Sequence, residues 1–177
     1  LDVNNSCFYR EYVLGDDTPE MRATSMVISQ ALQQPFFTEM RTNQQLGYIV
    51  WSYARNRDET YYLSFVIQSG AFTADDVNQR ADDFIASTPE LLAAMDKETF
   101  QQLKESAIEQ LEKKPMSISE RARKFERFIF EHDADFQRDQ KTIAALETLQ
   151  QSSTVELLSN TLGVNSRRMV NFLMFAE

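Results

Sequence analysis

The sequence predicts an α+β fold, an antiparallel sheet covered on one face by helices. Three observations carry that prediction. Glycine and proline are scarce, four of each in 177 residues, which favours helix over an all-β sandwich. Two runs of alternating apolar residues, Tyr48 to Arg55 and Thr60 to Ser69, flank a short polar stretch and require antiparallel pairing. From Thr73 almost to the end the apolar spacing becomes helical, and such helices need a sheet face to cover.

Each element follows from local chemistry. Ser6 to Leu14 (SCFYREYVL) is rich in strand formers and is closed by the turn cluster Gly15-Asp16-Asp17. Thr18 is placed as an N-cap, with Pro19 at the first helical position and Glu20 near the positive end of the dipole. The helix that follows carries Ala23, Val27, Ile28, Ala31 and Leu32 on one face; Pro35 breaks or kinks it, and a short turn continues through Phe36, Phe37 and Met40. Gly47 ends that unit. In the hairpin, Ile49, Trp51 and Tyr53 share one face of the first strand, Asn56 to Glu59 forms a polar loop, and Tyr61, Leu63, Phe65 and Ile67 alternate along the second.

Thr73-x-x-Asp76 opens a long helix through Val77, Ala81, Phe84 and Ile85, kinked at Pro89. Asp96 caps the next, whose stripe of Phe100, Leu103, Ala107 and Leu111 ends at Lys113-Lys114-Pro115. Ser117-x-x-Glu120 starts another, with Phe125, Phe128 and Ile129 inward. Shorter helices follow around Ile143 to Leu149 and from Ser153 to Gly163, and Arg168 to Phe175 closes the chain as a strand. The absence of linkers, repeats or low-complexity tracts makes residues 1–177 a single domain, and a start at Leu1 without Met predicts that it is a fragment of a larger chain.

Composition excludes several kinds of chemistry. The single His132 rules out a site built from two imidazoles within this chain, so no metal site is expected here. Phe128-Ile129-Phe130-Glu131-His132 has the outline of H-x-x-E-H with the first His replaced by Phe, and His132 reads as a helix C-terminal residue interacting with the dipole. Cys7 cannot form an intrachain disulfide and, beside Phe8 and Tyr9 in a strand, reads as a small buried hydrophobe. A formal charge of -9 opposes a phosphate backbone, so nucleic acid is not expected as a partner. Arg121, Arg123, Lys124 and Arg127, with Arg138 and Lys141 beyond, alternate with Glu120, Glu126 and Glu131 as a solvated, ion-paired face. No apolar run is long enough to span a bilayer, so membrane insertion is not expected.

The remaining candidate is Arg41-Thr42-Asn43-Gln44-Gln45-Leu46-Gly47-Tyr48-Ile49-Val50, which puts a cation and a phenol around a helix-to-strand turn at the sheet's rim. Tyr48 can donate a hydrogen bond and Arg41 stays charged, so the pair suits a carbonyl or a developing oxyanion. The residues are equally consistent with Arg41 capping the helix and Tyr48 filling a strand.

The run Phe37-Thr38-Glu39-Met40-Arg41-Thr42-Asn43-Gln44-Gln45-Leu46-Gly47-Tyr48-Ile49-Val50 resembles the Phe-x-x-Leu-Arg-Thr-x-x-Gln-Leu-Gly-Tyr-x-Val segment of the insulin-degrading enzyme and pitrilysin family of zinc peptidases, departing mainly at Met40. Phe65-Val66-Ile67-Gln68-Ser69 is similar to the strand that follows it in the family, and weaker similarity reaches Asp135-Phe136-Gln137-Arg138-Asp139 and beyond. The resemblance implies four homologous α+β domains in two bowl-like halves around a chamber that takes in peptides. It implies zinc in the N-terminal domain, none in this one, and the N-terminal half of the same polypeptide and peptide substrates as partners. By position, Arg41 and Tyr48 would then reach the substrate backbone, and the isolated chain would be inactive. If the source is bacterial, the resemblance points to the periplasm. The alternative is a non-catalytic assembly module, like the peptidase-derived core subunits of the respiratory cytochrome complex; a self-standing peptide-binding module is a third reading.

Overall fold

A computed structural model describes residues 5–163, 166 and 168–176. The elements are β1 (Ser6–Asp16), α1 (Pro19–Phe37) continuing into a π-helical turn (Thr38–Asn43), β2 (Ile49–Arg57), β3 (Thr60–Ser69), α2 (Ala74–Ala93), α3 (Lys97–Glu112), α4 (Ile118–Glu131), α5 (Arg138–Thr148), α6 (Gln151–Thr161) and β4 (Met169–Met174). The strands form one antiparallel sheet in the order β2-β3-β1-β4, as the sequence predicts.

Strand alternation separates two faces. Phe8, Tyr12, Val50, Leu63, Phe65 and Ile67 are buried on one, beneath Ile28, Leu32 and Phe36 of α1 and Val77, Phe84 and Ile85 of α2. Removing each such side chain from water contributes about 1.5–3 kcal/mol, so this layer supplies the main driving force for folding. A second, smaller core of Ala23, Val27, Phe100, Ala107 and Leu146 lies between α1, α3 and α5. Thus α1 is covered by the sheet on one side and by helices on the other.

Polar devices fix these layers. Thr18, Thr73, Asp96 and Ser117 each accept a hydrogen bond from a backbone N–H in the first turn of their helix, as predicted. Arg10, only 3% exposed, reaches from β1 to Asp82 and Asn78 of α2 and Asn171 of β4, tying three elements together. Asp17 is gripped by Arg22 of α1 and Arg138 of α5. Pairing at both ends keeps these buried charges from being left uncompensated.

Several boundaries differ from the sequence prediction. β1 runs through Gly15 and Asp16 with a register shift between Val13 and Gly15, so a bulge occurs where a turn was expected. Of the two alternatives at Pro35, a break does not occur: α1 continues through Phe36, which is fully buried, and α2 likewise continues past Pro89. The hairpin loop is tighter than predicted, because Asp58 and Glu59 both take positive φ, at 49° and 59°, and close the strands directly. On α4 only Phe128 is buried; Phe125 and Ile129 are exposed, and Phe125 instead contacts Phe128 and Phe136 by its ring. α5 starts earlier than expected, at Arg138, where the ion pair with Asp17 holds it. Ser153 lies inside α6 and donates to the Gln150 carbonyl instead of capping. Three of the basic residues pair outside α4's own acidic side chains, Lys124 with Asp139, Lys141 with Asp135 and Arg138 with Asp17.

Phe36 stacks edge-on against both Phe65 of β3 (5.1 Å) and Phe84 of α2 (5.2 Å). Phe36→Ala is expected to destabilise the domain by about 3–5 kcal/mol, measured by equilibrium denaturation, because it opens a cavity where three elements meet.

Candidate functional site

The segment between α1 and β2 is built by an unusual turn. The Gln44 N–H donates to the Glu39 carbonyl (3.0 Å), the wide spacing of a π-helix, and the Leu46 N–H donates to the Met40 carbonyl (2.9 Å). The Glu39 carboxylate accepts from the side-chain amides of Asn43 and Gln44, both at 2.7 Å, and these bonds hold its pKa below the ordinary value. Arg80 of α2 donates to the Gln44 side-chain oxygen (3.1 Å), so the turn is braced against the neighbouring helix. Met40 and Leu46 are fully buried beneath it.

Gly47 then carries the chain over the end of β3. A β-carbon there would sit 1.8 Å from the Gln68 carbonyl oxygen, a backbone atom that cannot swing aside. Its φ is not positive, so close approach rather than conformational freedom demands glycine.

This path brings Arg41 and Tyr48 together. The Arg41 guanidinium lies 5.1 Å from the Phe37 ring centre and 4.8 Å from that of Tyr48, and its Nη1 donates to the Tyr48 carbonyl at 3.0 Å. Tyr48 is 81% exposed and precedes β2, so it is not strand filling. One N–H of Arg41 fixes the corner while its other donors stay available. An exposed phenol beside a positioned guanidinium can donate to a carbonyl oxygen or an oxyanion.

The same corner opens onto the uncovered face of the sheet. Strand register sets Trp51, Val66, Tyr9 and Phe172 in one row across it, and Tyr53, Ser64, Glu11 and Val170 in the next. Glu11 is the most enclosed charge there, its side chain 9% exposed. It accepts from Tyr9 (2.7 Å), Arg55 (2.8 Å), Ser64 (3.1 Å) and Arg57 (3.1 Å). Burial pushes its pKa up, but the hydrogen bonds from Tyr9, Arg55 and Ser64 outweigh that and leave it lowered.

The other candidates stand apart. Cys7 is half-buried on this open face, and burial pushes its thiol up, away from the reactive thiolate. His132 occupies the C-cap of α4, yet burial and the nearby Arg138 lower its pKa, so the expected dipole interaction is not the dominant influence. Among the described residues, no three His, Cys, Asp or Glu side chains converge enough to hold a metal ion, so their donor set does not fit zinc. Sequence reasoning missed Gly47's contact, the Glu39 amide cage and the Glu11 cluster. The wide separation of Glu11, Arg55 and Ser64 along the chain hides the last of these.

The helix-backed antiparallel sheet, taken with the similarities that follow, marks this as a peptidase-derived domain. A family model described as PQQ synthase PqqF-like, C-terminal lobe domain 4, matches residues 27–126, and the chain belongs to that family. It is 29% identical over 173 residues to the insulin-degrading enzyme of Homo sapiens, covering 94% of this chain and 16% of the relative. The chain thus spans about a sixth of that relative's length. The crystal structure of pitrilysin superposes with a TM-score of 0.84 at 22% identity, covering 96% of this chain and 18% of the other. A peptidase M16 inactive domain from Pseudomonas fluorescens superposes with a TM-score of 0.66 at 15% identity, covering 96% and 40%. These two likenesses bear on the fold.

Two outcomes test the site's construction. Gly47→Ala should destabilise the domain by about 1–3 kcal/mol or more in equilibrium denaturation, because the new methyl meets backbone. Because Glu11 has a lowered pKa when folded, its stabilising contribution is complete above its unfolded value and is lost as pH falls through the folded one. Stability measured against pH should therefore drop less steeply on the acid side in Glu11→Gln than in the natural chain.

Proposed function

We propose that this chain is the substrate-binding, catalytically incomplete C-terminal domain of a larger metallopeptidase, in which Arg41 and Tyr48 hold the peptide at the reacting bond. The observation that carries the reading is the Arg41–Tyr48 corner: an exposed phenol fixed by a guanidinium that also closes the turn beneath it. Tyr48 donates to the oxygen on which negative charge develops, and Arg41 orients the substrate carbonyl. The metal chemistry, for which this chain has no fitting donor set among its described residues, belongs to the N-terminal half of a longer polypeptide, and the isolated chain has no turnover of its own.

The names of its relatives support this reading: one is an insulin-degrading enzyme, and one structural neighbour is an inactive peptidase domain. A non-catalytic assembly module remains the competing reading, and retention of both Arg41 and Tyr48 in one exposed corner favours the peptidase domain over it.

In a full-length polypeptide containing this chain, Tyr48→Phe is expected to lower kcat about 10²-fold to 10³-fold, measured by steady-state peptide hydrolysis. The substitution keeps the ring that lies against Arg41, so the corner should persist. Unchanged turnover would remove Tyr48 from the chemistry and leave the assembly module as the better account.

A further inference from the structure

The far end of the open sheet face carries a second constellation, built around Glu11. Its single carboxylate receives Arg55 and Arg57 together, so the cluster keeps one positive charge in a chain whose formal charge is -9. Both guanidiniums remain partly open to solvent, Arg55 at 40% and Arg57 at 47% of their side chains. Aromatic rings orient them: Arg57 lies 4.3 Å from the Tyr62 ring centre and Arg55 5.9 Å from that of Tyr53. The Arg55 Nε is buried with no hydrogen-bond partner among the described residues, an unmet donor beside the cluster. Glu11, by contrast, is saturated by four donors, so it anchors the arginines without taking up all of their N–H groups.

Arg55 lies seven positions along the chain from Tyr48, with β2 running between them. At about 3.3 Å per residue this places Arg55 about 23 Å, and Arg57 two residues further on about 30 Å, from the Arg41–Tyr48 corner. Between the two ends lie Trp51 and Tyr53, with Trp51 61% exposed. A surface of this kind, aromatic in its middle and cationic at one end, matches an extended chain that ends in a negative charge.

Resting on the peptide-holding role of the Arg41–Tyr48 corner, we propose that Arg55 and Arg57, held by Glu11, form an anchor for a peptide carboxylate about seven to nine residues from the bond held at Tyr48. The carboxylate is either an acidic side chain or a free C-terminus. The anchor selects among substrates by charge at a distance from the corner, and Glu11 sets its strength by neutralising one of the two arginines.

Trp51 is the only tryptophan and lies on the path, so its fluorescence reports binding to the 177-residue chain directly. Three probes are titrated: a neutral amidated peptide of about ten residues, long enough to span the path, the same peptide with a terminal glutamate, and the same peptide with a free C-terminal carboxylate. The natural chain should bind at least one carboxylated form about 10-fold tighter than the neutral amide, and the form that gains identifies the source of the carboxylate. Arg57→Gln should erase that difference, with circular dichroism checking the fold, since Glu11 keeps Arg55, Tyr9 and Ser64. Glu11→Gln should widen the difference; if circular dichroism shows that this variant is unfolded, Arg57→Gln alone decides.

Equal affinity for all three peptides, or a difference that survives Arg57→Gln, overturns the anchor. Arg41→Gln combined with Tyr48→Phe should weaken all three peptides alike. If it weakens none while the charge discrimination persists, the anchor stands and the corner's role fails. Absence of saturable binding of any probe overturns both.

Discussion

At position 47 the chain passes so close to β3 that a methyl group would overlap the Gln68 carbonyl oxygen. Much of the candidate site depends on that contact. It lets Leu46 drop into the core on one side and Val50 on the other, both of them essentially fully buried, so the connection is pinned at two points barely apart in sequence. The π-helical turn supplies the other half of the constraint, because its wide hydrogen bond re-aims the end of α1 toward the sheet's rim. With both ends fixed, Arg41 reaches the Tyr48 carbonyl and the two side chains share a corner. Rigid backbone on both sides is what the proposed contact with a substrate oxygen requires.

The two faces of the sheet divide the work. Toward the helices it is mainly apolar with a few buried serines, and its one charged residue, Arg10, is paired with α2 and β4. Toward solvent it carries a row of Trp51, Tyr9 and Phe172 and a buried carboxylate whose pKa is lowered by the hydrogen bonds from Tyr9, Arg55 and Ser64. A sheet that needs helices on only one face leaves the other available, and the Arg41–Tyr48 corner sits where that face begins. Family membership fits the same division, since the matching family is described as one domain of a C-terminal lobe.

Much of this was legible in the residues. Alternation in Thr60 to Ser69 marked Tyr61, Leu63, Phe65 and Ile67, of which Leu63, Phe65 and Ile67 are buried and Tyr61 partly so, because a period of two leaves little freedom once one face is covered. The four side-chain caps at Thr18, Thr73, Asp96 and Ser117 were equally legible, since capping is a local bond. At Pro35 the sequence left a break or a kink open, and burial of Phe36 decides for continuation, whereas Phe125 misled because amphipathic spacing cannot say whether a neighbour is present. At the corner, the pairing of Arg41 with Tyr48 was expected from the motif, whereas the need for glycine at 47 arises from β3, more than twenty residues away. The Glu11 cluster was invisible for the same reason, its partners being gathered only by strand register.

The central claim is that a peptide is held along the open face of the sheet, starting at the Arg41–Tyr48 corner. Amide chemical-shift mapping of the chain during titration with an uncleaved extended peptide tests it most directly. The account predicts perturbations concentrated from Gly47 to Tyr53 and at Arg41, with the amides of α3 and α5 on the far side unmoved. Perturbations confined to the helical side, with the corner silent, would contradict it.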